Sequence, residues 1–261
     1  MNSLRIFFVG GWTSYRALFG WLSPWILVPT FIIEPIFQVL FFASIGRNAG
    51  VGSASFFLIG NAVQYASIPC VFAMGNTIGG ERDAHTLALL LAAPARRIPL
   101  FLGRALPVIV NGFAVTVLTL VVGSLVLGVH LPVSCWLPLL ATVAVSSFAC
   151  TGLGLATAGV ALRVRETAVL SNIAFGVLLI FCGVNVPLSA LPGPMAAVAG
   201  WLPLTHGIAA ARELAAGASW SSVRGLVAAE AGIGLAYVVL GLALLAYFES
   251  ESRRRATLEL A

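Results

Sequence analysis

Six predominantly apolar runs divide this chain, at approximately 24–46, 55–78, 99–129, 136–162, 167–187 and 225–248. A helix rises about 1.5 Å per residue, so about 20 apolar residues match the ~30 Å hydrocarbon core of a bilayer. Between the runs there is little charge with which to face water. Of 261 residues, 60% are hydrophobic and 9% are charged, whereas a soluble domain charges roughly 25% of its residues. Lipid is therefore the solvent, and the expected fold is an all-α integral membrane protein with six transmembrane helices. The third run is longer than a bilayer requires, so that helix should tilt or project beyond the headgroups.

Arginine placement orients the spans. All fourteen basic residues are Arg, with no Lys. With the N-terminus inside, Arg5, Arg16, Arg82, Arg96, Arg97, Arg104, Arg163, Arg165 and Arg253 to Arg255 fall at cytoplasmic ends. Only Arg47, Arg212 and Arg224 fall outside, so the positive-inside rule puts both termini in the cytoplasm. Trp136, Trp201 and Trp220 then lie near the outer interface, where indole rings settle. The net charge of +5 reads as attraction to anionic headgroups and not as a nucleic-acid surface.

Two stretches fit neither lipid nor water. Residues 3–22 mix aromatic and aliphatic side chains with Arg5 and Arg16, the pattern of a helix lying on the inner membrane surface. Residues 187–217 are apolar but broken by Pro192, Pro194 and Pro203. A seventh span there would throw Arg253 to Arg255 outside, so a re-entrant or interfacial helical pair on the outer face is expected over 188–217. The opening residues lack the n-region and cleavage site of a signal peptide. Residues 1–261 read as one domain without an evident repeat.

The inventory of reactive groups excludes several chemistries. A P-loop needs Lys after its glycines, and there is none. Asp83 is the only Asp, which rules out a two-aspartate intramembrane protease. His85, His130 and His206 are isolated, and Cys70, Cys135, Cys150 and Cys182 have no metal or redox spacing, so no metal site and four free buried thiols are expected. The run TGLGLATAG (151–159) does not fit GxGxxG; Gly152/Ala156, Gly154/Ala158 and, in the last span, Gly232/Ala236 read as small-residue helix packing.

One charged strip remains, ERDAHTLALLLAAPARR (81–97), between the second and third spans on the cytoplasmic side. It resembles the cytoplasmic loop of ABC-2 type permeases, the membrane subunits of a class of ABC exporters. Glu81, Arg82, Thr86, Leu87, Leu90 and Pro94 match that loop, with His85 where the family usually has Gly. A second stretch, NVPLSALPGPMAAVAGWLPLTHGIAAAREL (185–214), is similar to the family's segment before the last span, through Pro187, Leu191, Pro192, Pro203, Thr205, His206 and Arg212. The resemblance implies a permease in a bacterial plasma (inner) membrane. It implies a dimer with a second copy or a homologous permease, bound to two copies of an ABC ATPase. ATP and Mg²⁺ would reside on that partner, with no cofactor in this chain. Residues 79–93 would form a coupling helix docked on the ATPase, Glu81 and Arg82 supplying charge complementarity and the leucines a buried anchor.

The resemblance also implies a passage lined by spans two and five, which carry Asn61, Gln64, Tyr65 and Asn172, Phe175, Phe181, Asn185. Amides in hydrocarbon need partners, so these face a cavity or bond between helices; both readings stay open. Glu34, followed by Pro35, is an intramembrane carboxylate, open to a structural pair with Arg104, a neutral state, or a substrate or proton role. The outer segment is a candidate gate: Pro187, Pro192 and Pro203 stiffen it, and Leu188, Leu191 and Trp201 supply an apolar plug. Thr205 and His206 end that motif, His206 either hydrogen-bonding the turn or sensing pH. The function expected is ATP-driven export of an amphiphilic molecule (a drug, a lipid or a lipid-linked glycan), the chain not being an enzyme by itself. A secondary transporter or channel without ATP coupling is the alternative; an intramembrane lipid enzyme lacks any nucleophile–base pair.

Overall fold

The computed structural model describes residues 8–13, 15–16, 25, 29–50, 52–76, 97–164 and 166–255. Every element among them is helical. A widened turn over Pro29–Ile33 leads into α1 (Glu34–Ala49), with Pro35 in the first turn, where its missing N–H costs nothing. Gly50, at φ +65°, ends α1 by donating its N–H to the Arg47 and Gly46 carbonyls. Ser53 then caps α2 (Ala54–Tyr65), its hydroxyl accepting from the Phe56 N–H. So tight a connection makes α1 and α2 antiparallel neighbours. Pro69 interrupts the second span with a wide turn over Ile68–Ala73, and the Ser67 hydroxyl donates to the Gln64 carbonyl at that break.

α3 (Arg97–Leu127) runs 31 residues, roughly 46 Å at helical rise, and ends at Gly128. α4 (Trp136–Ala161) returns through the middle of the bundle, and α5 (Thr167–Phe181) follows after a short turn. Two short helices, α6 (Gly193–Ala199) and α7 (Thr205–Ala215), precede the 36-residue α8 (Trp220–Arg255). At the C-terminal end of α8, Arg163, after α4, pairs with Glu251 and lies 5.9 Å from the Phe248 ring centroid.

Among the described residues, five segments are long and apolar enough to cross a membrane: Pro29–Asn48, Ala54–Asn76, Phe101–Leu127, Val133–Ala161 and Trp220–Phe248. The sixth expected span, 167–187, is shorter than its composition indicates. Its helix is 15 residues and stops at Phe181, because Gly183 turns left-handed at φ +74° and the chain beyond it is not helical. Of the N-terminal stretch expected over 3–22, residues 8–13 are helical; Gly11 lies against the Gly103 carbonyl of α3, and Phe8 and Trp12 are exposed. The expected coupling segment, 79–93, lies outside the described residues.

The α4–α8 pair is the most extensive helix contact in the fold, and glycine makes it possible. A Cβ on Gly152 would sit 2.7 Å from the Gly234 carbonyl oxygen; one on Gly241 would sit 2.7 Å from the Ala156 nitrogen. Gly154 faces the other way, against the Cys70 carbonyl of the second span. Backbone-to-backbone approach of this kind is how helices associate where lipid removes the hydrophobic drive. Gly232 and Ala236 behave differently from expectation. They are exposed, and a Cβ on Gly232 would touch nothing within 4 Å. Gly241→Val should therefore cost about 2 kcal/mol through overpacking, while Gly232→Val should stay within about 0.5 kcal/mol. Thermal melts of the purified variants check the contrast; equal midpoints would refute the packing scheme.

Candidate functional site

The segment between α5 and α8 is held at both ends by charge. At the C-terminal end of α7, Arg212 stacks on Phe56, its guanidinium carbon 3.5 Å from the ring centroid. Nη1 donates to the Gly183 carbonyl at 2.7 Å and Nη2 to the Val184 carbonyl at 2.8 Å. Nη2 and Nε also share the Phe56 carbonyl, at 3.1 and 3.3 Å. Gly60 leaves the room: a Cβ there would lie 2.5 Å from Nη2. Burial lowers the Arg212 pKa to about 10, so the cation persists at neutral pH. One side chain thus fastens α7 to the start of α2 and to the carbonyls just beyond α5. Because Phe56 follows the α1–α2 turn, this end of α7 lies at the same end of the bundle as that turn.

At the N-terminal end of α7 the partner is Glu230 of α8, which is 0% exposed. Its Oε1 accepts from the Leu204 N–H at 2.6 Å and its Oε2 from the Gly207 N–H at 3.0 Å. Leu204, at φ +77°, turns its N–H toward α8. A carboxylate at a helix N-terminus meets both unpaired donors and the positive end of the helix dipole.

Two of the amides expected to line a passage, Asn61 and Asn185, bond to each other. Gln38 Nε2 donates to Asn61 Oδ1 at 3.0 Å, and Asn61 Nδ2 donates to Asn185 Oδ1 at 2.8 Å, joining α1, α2 and the non-helical chain after α5. Gln64 Nε2 reaches the Phe175 carbonyl at 3.5 Å, while its buried Oε1 has no partner among the described residues. Phe175 meets Phe72 edge to face at 6.4 Å. Asn172 is exposed and donates to its own helix at Ala168, and Phe181 is half-buried at the end of α5. Glu34 is exposed at the start of α1, near the Tyr65 hydroxyl of α2; Arg104 is half-buried in α3.

Between α5 and α8, Pro187 opens a tight turn over Leu188–Ala190 and Pro192 caps α6. Leu188 covers Gly183, and Leu191 is half-buried. The Pro203 carbonyl accepts from Cys182 Sγ at 3.2 Å, and Thr205, buried, begins α7. His206 Nε2 lies 3.2 Å from the Gly200 carbonyl, to which it donates in the Nε2–H tautomer. Trp201 is 77% exposed and borders a groove of about 410 Å³ with Tyr237 and Leu240 of α8. Glu81, Arg82, Thr86, Leu87, Leu90 and Pro94 lie outside the described residues.

Sequence reasoning missed Glu230. Its signal is a lone carboxylate in the AAEAG stretch of the last apolar run, as visible as Glu34 but overlooked beside it. Arg212 was legible as part of a motif, though nothing in the motif reveals its three carbonyl partners. Among the described residues no group of His, Cys, Asp and Glu could hold a metal ion. Residues 15–215 match the family described as ABC-2 type transporter, a stretch that takes in both the charged strip and the outer segment. No curated protein matches the chain.

Proposed function

The chain belongs to the ABC-2 type transporter family, and so is a membrane permease component of an ABC transporter; from that premise we propose that it carries an amphiphilic molecule outward, driven by ATP hydrolysed on a partner subunit. The observation that carries the reading is the outer segment. Two short helices sit at one end of a helical bundle, fastened by Arg212 to the second span and by Glu230 to the last. A segment fastened to two spans can open or close as those spans shift.

Energy enters from the opposite face. The chain has no Lys for a P-loop, so ATP and Mg²⁺ sit on the ATPase, and residues 79–93 form the helix that docks on it. Nucleotide-driven closure of two ATPase copies pulls on that helix and, through it, on spans two and three of each permease in the dimer. The amide and aromatic side chains of spans two and five offer mixed contacts: Gln64 Oε1 is unpartnered among the described residues, its Nε2 reaches the Phe175 carbonyl, and Phe175 packs edge to face with Phe72. Such a lining suits a drug, a lipid or a lipid-linked glycan better than an inorganic ion. Family membership supports a bacterial plasma membrane as its location, and the Arg distribution supports both termini inside.

Co-purification from the native membrane tests this. A soluble ATPase should accompany the permease in equal copy number. Recovery of the chain alone, active in liposomes without nucleotide, would replace ATP coupling with a secondary transporter or channel.

A further inference from the structure

Glu230 is an unusual residue for its surroundings. It is fully buried in a membrane span, where a carboxylate is costly unless something local compensates it. No cation among the described residues pairs with it. Its compensation consists of the backbone N–H groups of Leu204 and Gly207, at the start of α7. That turn is fitted closely from the other side too: a Cβ on Gly207 would run into the Ser146 hydroxyl of α4 and lie 3.5 Å from the Glu230 carboxyl carbon. If α7 moved away from α8, the carboxylate would be left in an apolar bundle without its donors, and the donors without it.

We infer that Glu230 is a positioning residue, a carboxylate latch that fixes the outer segment to the last span, so that this segment follows α8. The inference rests on the proposed reading of residues 188–217 as the outer gate of a permease. The latch closes over a reporter that the chain already contains. Cys182 is 1% exposed and donates to the Pro203 carbonyl, directly before the latched turn. Cys70 and Cys150, each 0% exposed, lie elsewhere in the core.

Right-side-out membrane vesicles holding the full chain are treated with a membrane-impermeant maleimide, and each cysteine is read by peptide mass mapping. Glu230→Gln places an NH₂ group where an N–H now donates, and Gly207→Ala drives the same turn against Ser146 of α4, unseating it without changing any charge. Both should raise Cys182 labelling at least tenfold over the parent chain, with Cys70 and Cys150 still protected. Gly232→Ala, on the open face of α8, should change nothing. Protection of Cys182 in both latch variants overturns the inference. So does equal labelling of Cys70, Cys150 and Cys182, since Glu230 would then hold the whole bundle and not this segment. Selective Cys182 labelling that requires inside-out vesicles would uphold the latch and overturn the outward placement on which the proposed function depends. No nucleotide or ATPase enters the assay, so a failure of ATP coupling cannot be mistaken for a failure of the latch.

Discussion

Arg212→Met should destabilise the protein by at least about 2 kcal/mol, because it leaves the buried Gly183 and Val184 carbonyls without a donor, and each unsatisfied group costs about 1–3 kcal/mol. The Phe56 carbonyl keeps its place in the α2 ladder but loses a charge-assisted bond, and the Phe56 ring loses the cation stacked on it. Relief of the burial that lowers the Arg212 pKa works in the opposite direction. The carbonyls decide the sign, because removing one partner of a buried polar set costs more than replacing all of it. Arg212→Lys keeps the charge but not the planar fork, so it should fall between the parent chain and Met. Thermal unfolding in detergent, with the recovered monodisperse fraction as a second reading, measures the series. An unchanged midpoint for Arg212→Met would mean that the two ends of the segment are not held as described.

The second large effect is functional. Leu87→Asp in the charged strip should abolish ATP-driven transport and cut ATPase co-purification at least tenfold, about 1.4 kcal/mol of lost binding. An apolar anchor at the centre of a docking helix is desolvated when bound, and a carboxylate there would be buried without a partner. Reversing Glu81 to Arg acts at the charged margin, so its effect should be smaller and should fade with salt. Transport that survives Leu87→Asp with its ATPase attached would remove the proposed lever from this strip.

These two tests differ in how far the sequence alone could motivate them. The charged strip stands out by composition: five of the nine charged residues in the first hundred lie within 81–97. The role of Arg212 needed coordinates, because its partners lie 28, 29 and 156 positions away. The amides show the same division. That Asn61 and Asn185 need partners follows from their place in apolar runs; that they partner each other, across 124 positions, does not. Small residues were recognisable as packing signals, yet Gly152 faces α8 while Gly232 faces outward, and spacing within one helix cannot tell these apart.

Run length and scarcity of charge were enough to establish a helical membrane protein and its main spans. In hydrocarbon each backbone N–H and C=O must be paired within its own helix, so local composition decides the element. Where a helix stops, and which side chains meet, depends on groups distant in the chain. α5 ends before its apolar run does because a turn at Gly183 and a guanidinium from α7 take over the next carbonyls. The Glu230 carboxylate is tolerable because a helix begins against it. Both are bargains struck between elements, and only the tertiary structure shows them.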